Sequence, residues 1–361
     1  MQLRSIYIAA DPSRPSVVPK REASVLALVA AFAAVYLIWG STYLGIRIAI
    51  KTLPAFAMAG SRFLIAGIVL YSFCRWRGVK RPAHKDWVNT TIVGAFLLLG
   101  GNGCVVWASQ TVPSGIVALL VAVLPMWMVL IEWLRPSGVR PGRGVVIGLV
   151  VGFMGVAVLV DPRSHLGSGS VNPAEACVLL LGGLLWALGS IYSRQAKMPS
   201  SLLMSISMQM ITGGLLLSIV AASRGDYSAF RSESISLYSL GAFAYLVVFG
   251  SLIGFSAYVW LLQVTTPARV STYAYVNPVV ALVLGWAIEN EPLTNNTLIA
   301  GAMIVIAVAF ITAAGPGRRV KPQRSIMPVP GIEPETCLAP VVPQSDSPGL
   351  PDSKPLECSG A

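Results

Sequence analysis

Long apolar runs broken by short polar connections make up most of the chain. They fall at about 23–46, 55–73, 88–108, 114–134, 144–160, 174–192, 202–222, 237–263, 268–288 and 297–314, each near the roughly 20 residues a helix needs to cross a bilayer. The run at 237–263 is long, which predicts a helix that tilts or extends past the hydrocarbon. No polar stretch between runs is large enough for an inserted soluble domain. The composition agrees: of 361 residues, 55% are hydrophobic and only 11% charged, against roughly 25% charged in soluble domains. The mean hydropathy is +0.71. Such a chain cannot cover its surface with ions, so its solvent is largely lipid. The first run lacks a small-residue cleavage site and reads as a retained membrane helix.

The formal net charge of +11 changes the picture only through its distribution. Lys20 and Arg21 precede the first run, and Arg75, Arg77, Lys80, Arg81 and Lys85 separate the second from the third. Arg135, Arg140 and Arg143 follow the fourth, Arg194 and Lys197 the sixth, and Arg318, Arg319, Lys321 and Arg324 the tenth. The other connections hold Lys51, Arg163, Arg224 and Arg231, partly matched by Asp161, Asp226 and Glu233. The positive-inside rule then predicts both termini in the cytoplasm, which requires an even number of spans. No basic stripe interleaves with aromatics on a polar domain, so nucleic acid is not an expected partner. Cys74, Cys104, Cys177, Cys337 and Cys358 form no CxxC pair, and His84 and His165 sit in polar connections. No metal site, catalytic triad or cofactor is expected.

Internal similarity divides the runs into two sets of five. Trp107, Gln110, Pro125 and Trp133 recur as Trp260, Gln263, Pro278 and Trp286, each 153 residues on (260 − 107), as do Gly101 and Gly254. Gly40-Ser41-x-Tyr43 recurs as Gly189-Ser190-x-Tyr192, 149 residues on (189 − 40). Five is odd, so the second copy enters the membrane inverted, the arrangement of alternating-access transporters. The fold class expected is an all-α polytopic membrane protein, with ten transmembrane helices as two inverted five-helix repeats. A cytoplasmic segment at 1–22 precedes a first repeat at 23–160, a second follows at 174–314, and 315–361 reads as a disordered cytoplasmic tail rich in Pro and Ser.

Trp39-Gly40-Ser41-Thr42-Tyr43, then Ser61-Arg62-Phe63-Leu64 with Ala66-Gly67, resembles the EamA-type branch of the drug/metabolite transporter superfamily. Pro278 and Glu291-Pro292-Leu293-Thr294 resemble that family's Gly-Glu-x-Leu-Thr ending of the ninth helix, with Asn290 where glycine is usual. The first half departs from the pattern, carrying Trp133-Leu134-Arg135-Pro136 in place of the glutamate motif. The resemblance spans about 25–315 and implies ten helices in two inverted halves that export small metabolites, often amino acids or related compounds.

Polar residues within apolar runs nominate the substrate site, because polar groups in lipid face the bundle interior and mark pathways. The candidates are Tyr43, Arg62, Asn102, Tyr192, Gln209, Tyr245, Tyr273 and Asn277. Arg269, Tyr273 and Asn277 share the i, i+4, i+8 spacing of one helical face, where the first half has Ile116, Leu120 and Leu124. This asymmetry predicts that the second half carries most of the recognition, with Gln209 from the Ser205–Gln209–Thr212 stripe opposite. For Arg62 a substrate carboxylate and a structural helix C-terminus both remain as partners. Gly40-Ser41 and Gly189-Ser190 fit close helix packing as well as cargo contact, and Trp107 and Trp260 fit an interfacial belt. Pro125 and Pro278 each free a carbonyl four residues earlier, toward a cavity or a simple kink.

The function expected is an inner-membrane exporter of small metabolites, with a small-molecule substrate and the lipid bilayer as partners; monomer and homodimer both stay open. A multidrug exporter of lipophilic cations is the alternative, though no acid lies between Val25 and Ile50 to hold one. A membrane sensor or enzyme would need an extra domain or clustered catalytic groups. Glu132, Glu175 and Glu289 are all close to span ends, so uniport or exchange is expected in place of proton coupling.

Overall fold

The computed structural model describes residues 24–135, 140–160, 171–228, 235–265, 267–270 and 272–313, and every regular element among them is helical. Eight helices are long and apolar enough to span a membrane: α1 (Val25–Ala49), α2 (Ala55–Trp76), α3 (His84–Ala108), α4 (Ser114–Leu134), α5 (Arg143–Val160), α6 (Pro173–Gln195), α7 (Leu202–Ser223) and α8 (Leu237–Val264). Two shorter apolar helices follow, α9 (Tyr273–Glu289) and α10 (Asn295–Ile311). Each apolar run read from the sequence thus coincides with a helix, and eight of these meet the length of a span. The segments expected at 1–22 and 315–361 lie outside the described residues.

Two differences from the sequence reading concern α4 and α9. α4 breaks into Ser114–Val121 and Leu124–Leu134, because Pro125 offers no amide to continue the ladder. α9 begins only at Tyr273, so Arg269 lies on a separate short turn, Pro267–Val270, and not on one continuous face with Tyr273 and Asn277. The amide and hydroxyl of Thr272 both bond the Arg269 carbonyl, at 3.3 and 2.6 Å, and close that turn.

In hydrocarbon the side chains gain nothing from leaving the solvent, so helices associate through close packing of small residues. Outward-facing Ile65, Ile68, Val150, Leu215, Ile219, Val283 and Phe310 are exposed accordingly. α2 meets α7 backbone to backbone: a Cβ on Gly67 would lie 2.8 Å from the Ile211 amide nitrogen, and one on Gly214 2.8 Å from that of Leu64. α5 meets α10 in the same way, with Gly148 against the Ala307 carbonyl at 2.8 Å.

The contact that sets the centre of the bundle is reciprocal. A Cβ on Gly254 of α8 would come within 2.5 Å of Trp39 Nε1, and one on Gly101 of α3 within 2.5 Å of Trp186 Cε3. Gly250 faces Thr42 just as Leu97 faces Gly189. Each half therefore lays a tryptophan-bearing helix on a glycine-bearing helix of the other. The pairs register Trp39 with Trp186 and Thr42 with Gly189, 147 residues apart (186 − 39), two fewer than the Gly-Ser-x-Tyr repeat gives. The facing helices keep the offset of 153 (254 − 101). Both carry π-helical turns there, at Ala95–Asn102 and Leu246–Phe255, a distortion common at functional sites.

Polar ties between the halves gather at the end of the bundle that holds the α1–α2, α3–α4, α7–α8 and α9–α10 connections. Lys51 pairs with Glu289. Asp226 accepts from the Phe56 and Ala57 amides at the start of α2, at 3.0 and 3.2 Å. Glu291 accepts from the Ser114 amide at 2.8 Å, the Ser114 hydroxyl at 2.9 Å and the Gly115 amide at 3.3 Å. A carboxylate suits that place because the first amides of a helix lack intrahelical partners and carry the positive end of its dipole. Asn290 stands in the left-handed region at φ 53° and turns the chain so that Glu291 reaches α4. After glycine, asparagine is the residue that most readily ends a helix this way. At the opposite end Tyr192 donates to Asn89 Oδ1 at 3.0 Å, and Tyr36 bonds Thr272 at 2.5 Å.

Two stability predictions follow from these contacts. Gly101→Ala and Gly254→Ala should each lower stability by about 1–3 kcal/mol through overpacking, seen as a lower Tm in detergent, while Gly241→Ala, with no atom near its Cβ, should leave Tm unchanged. Glu291→Ala should cost about 1.5–3 kcal/mol by stripping charge-assisted hydrogen bonds from the start of α4; an unaltered Tm would show that this tie contributes nothing.

Candidate functional site

A cavity of about 70 Å³ lies at the centre of the bundle. It draws its walls from α1, α2, α3 and α4 of the first half and from α6, α8 and α9 of the second. About 10–15 Å³ of such space holds one water, so the cavity has room for about five to seven non-hydrogen atoms. The break in α4 opens onto it, since Val121 and Leu124 on either side of the break are lining residues.

Toward the chain-terminal end an aromatic cluster forms one wall. Trp39 meets Tyr258 at 4.8 Å between ring centroids, Tyr273 edge-on at 5.5 Å and Trp186 edge-on at 5.7 Å. Tyr258 also meets Trp186 and Tyr273, each at 5.9 Å. Edge-to-face pairs of this kind add stabilisation beyond area burial. The polar tips are occupied: Trp39 Nε1 donates to the Gly250 carbonyl at 3.2 Å, Trp186 Nε1 to the Tyr258 hydroxyl at 3.2 Å, and that hydroxyl bonds Ser190 at 2.9 Å. Trp39, Trp186 and Tyr273 of this cluster line the cavity.

Arg62 supplies the charge. It is 4% exposed, its Nε donates to Ser251 Oγ at 3.0 Å, and its guanidinium lies 4.3 Å from the centre of the Phe63 ring. Its Nη1 is buried with no hydrogen-bond partner. Among the described residues no carboxylate lies within ion-pair distance of it. An arginine at this depth costs at least about 2.5–3.5 kcal/mol on insertion scales, and Ser251 and one ring face offset part of that. Asn102 Oδ1, on the same cavity, is likewise buried without a partner.

Of the eight residues nominated by the sequence, Tyr43, Arg62, Asn102 and Tyr273 come together around this cavity. The other four lie elsewhere. Gln209 donates to Ser205 at 3.0 Å, and its backbone carbonyl packs on Gly94 of α3. The Asn277 side-chain amide lies against the Tyr36 and Tyr273 carbonyls, to which its nitrogen donates at 3.0 and 3.3 Å once the amide is oriented to satisfy them. Tyr192 is tied to Asn89, and Tyr245 bonds Ser41 at 2.5 Å and stacks on Phe249 at an outward-opening crevice. Trp39, Trp186 and Tyr258 were not nominated, although Trp39 opens the motif Trp39-Gly40-Ser41. Their apolar bulk hides them among packing residues.

Comparison with known proteins places this architecture. The model of the EamA-like transporter family matches residues 25–161 and again 174–313. The uncharacterized inner membrane transporter YedA of Escherichia coli K12 is 37% identical over 292 residues, covering 80% of this chain and 91% of that protein. The uncharacterized transporter YvbV of Bacillus subtilis is 26% identical, covering 79% of this chain and 90% of its own length. Protein PecM of Dickeya dadantii is 24% identical over 79% of this chain and 93% of its own. A crystal structure 21% identical in sequence superposes with a TM-score of 0.57, over 80% of this chain and 98% of that one, a likeness of fold. The two family matches fall on α1–α5 and α6–α10, the same halves that exchange tryptophan and glycine at the cavity, and the chain belongs to the EamA-like transporter family.

Proposed function

We propose that the chain exports small metabolites, amino acids or related compounds, across the inner membrane by alternating access around the central cavity. The observation that carries this reading is a cavity walled by both halves and lined by a guanidinium that has no carboxylate partner among the described residues. A central cavity shared by two halves is where alternating access places its cargo. The reciprocal Trp39–Gly254 and Trp186–Gly101 packing supports ten helices in two inverted five-helix repeats. The basic connections support cytoplasmic N and C termini, and the name of YedA supports the inner membrane. Glu132 pairs with Arg135, Glu175 with Thr111 and Glu289 with Lys51, all near helix ends, which favours uniport or exchange over proton coupling. The lipophilic-cation alternative is disfavoured because the guanidinium in the cavity repels a cation, despite the aromatic wall that could hold one.

The test is metabolite profiling of the medium of cells overexpressing the chain against cells lacking it. The proposal predicts accumulation of one or a few small carboxylate-bearing metabolites only with the chain present. Identical media, or a rise confined to lipophilic cations, would contradict it.

A further inference from the structure

We propose that Arg62 and Asn102 form a recognition site for a small carboxylate bearing a hydrogen-bond donor on its α-carbon, that is, an α-hydroxy or α-amino acid. The inference rests on the proposed transport in taking the cavity as the place where cargo sits. Its grounds are the two unpartnered atoms themselves. Arg62 Nη1 and Asn102 Oδ1 are both buried, both unpaired and both on this cavity. They are opposite in kind. A guanidinium can only donate, and an amide oxygen can only accept, so whatever joins them must present an acceptor to one and a donor to the other. Unmet buried polar atoms are rare in folded proteins and call for an explanation.

The surroundings of Arg62 narrow the acceptor to an anion. Ser251 holds Nε at 3.0 Å and fixes the plane of the fork, while Phe63 covers one face. Nη1 lacks a carbonyl of the kind that a structural arginine uses at a helix C-terminus. A carboxylate matches the fork and forms the stronger, charge-assisted hydrogen bond. The donor must then sit close to that carboxylate, because the cavity admits only about five to seven non-hydrogen atoms. Lactate and alanine each have about six, with the hydroxyl or ammonium one carbon from the carboxylate. The aromatic side chains of Trp39 and Tyr43 that also line the cavity suit an ammonium, and Asn102 alone suits a hydroxyl. The two sources share their chemistry at Arg62 and differ in charge at Asn102.

The full chain in nanodiscs tests the site through intrinsic tryptophan fluorescence, since Trp39 and Trp186 line the cavity. The probes are L-alanine, L-lactate, propionate, which keeps the carboxylate and lacks the donor, and ethylamine, which lacks the carboxylate. Saturable binding is expected for alanine, lactate or both, at least about tenfold weaker binding for propionate, and none for ethylamine, as the loss of a hydrogen bond to a charged group predicts. Whichever of alanine and lactate binds tighter identifies the donor. Arg62→Gln should weaken acid binding about tenfold or more, and Asn102→Leu should erase the advantage over propionate. Ethylamine binding as well as the acids, no acid saturating, or Arg62→Gln binding unchanged would each overturn the site. The wild-type series decides the matter even if the Arg62 variant does not fold. Acid binding without any export in cells would count against transport and leave the recognition site standing.

Discussion

Two tryptophans seated on two glycines set the geometry on which the rest of this molecule depends. Lipid offers helices no hydrophobic reward for meeting, so contact must come from shape, and Gly254 and Gly101 are the places where an indole can press against a neighbouring backbone. Because the arrangement is reciprocal, α1 is fixed to α8 and α6 to α3 by equivalent surfaces. The space left between these pairs is the cavity. The π-helical turns in α3 and α8 lie at the same contacts, where the regular ladder would otherwise present a different face to the tryptophan.

That geometry makes a buried arginine tolerable and useful. Arg62 enters α2 about two turns from its start, at roughly 1.5 Å per residue, and reaches Ser251 on a helix of the other half. Its charge is thus held between halves by one neutral hydroxyl and one ring face. Burial of Arg62 strengthens any electrostatic contact it makes. The polar ties at the two ends differ in kind. Carboxylates on helix starts and the Lys51–Glu289 pair tie one end, while aromatic rings and hydroxyls tie the other.

Much of the fold was legible in the sequence because lipid imposes a coarse rule: each apolar run coincides with a helix among the described residues, eight of them long enough to span a membrane. The offset of 153 was legible as well, since Trp107 and Trp260 or Pro125 and Pro278 are rare enough to register by eye. The offset of 149 was misleading by two residues, because Gly-Ser-x-Tyr is a pattern of small packing residues that slips easily along a helix. Half of the residues nominated as a site line the cavity. Arg62, Asn102, Tyr43 and Tyr273 declared themselves as polar groups within apolar runs. Gln209 and Asn277 did so equally, yet each occupies its amide with its own neighbourhood, Ser205 in one case and two backbone carbonyls in the other. Helical spacing reports which residues share a face and not which helix that face meets. The π-helical turns and the start of α9 at Tyr273 shift those faces further. Tyr258 and Trp186 escaped because a buried aromatic looks the same in sequence whether it packs against leucine or against a cavity.

Alternation of the two ends around one cavity is tested most directly by paired spin labels across the halves. One pair, at Gln110 and Asn295, spans the carboxylate-tied end; the other, at Lys85 and Ser200, spans the opposite end. All four positions are exposed. With Glu291→Gln loosening the first end, pulsed dipolar distances should lengthen between Gln110 and Asn295 while those between Lys85 and Ser200 stay short or shorten. Both distances lengthening together, or neither changing, would contradict a carrier that opens one end at a time.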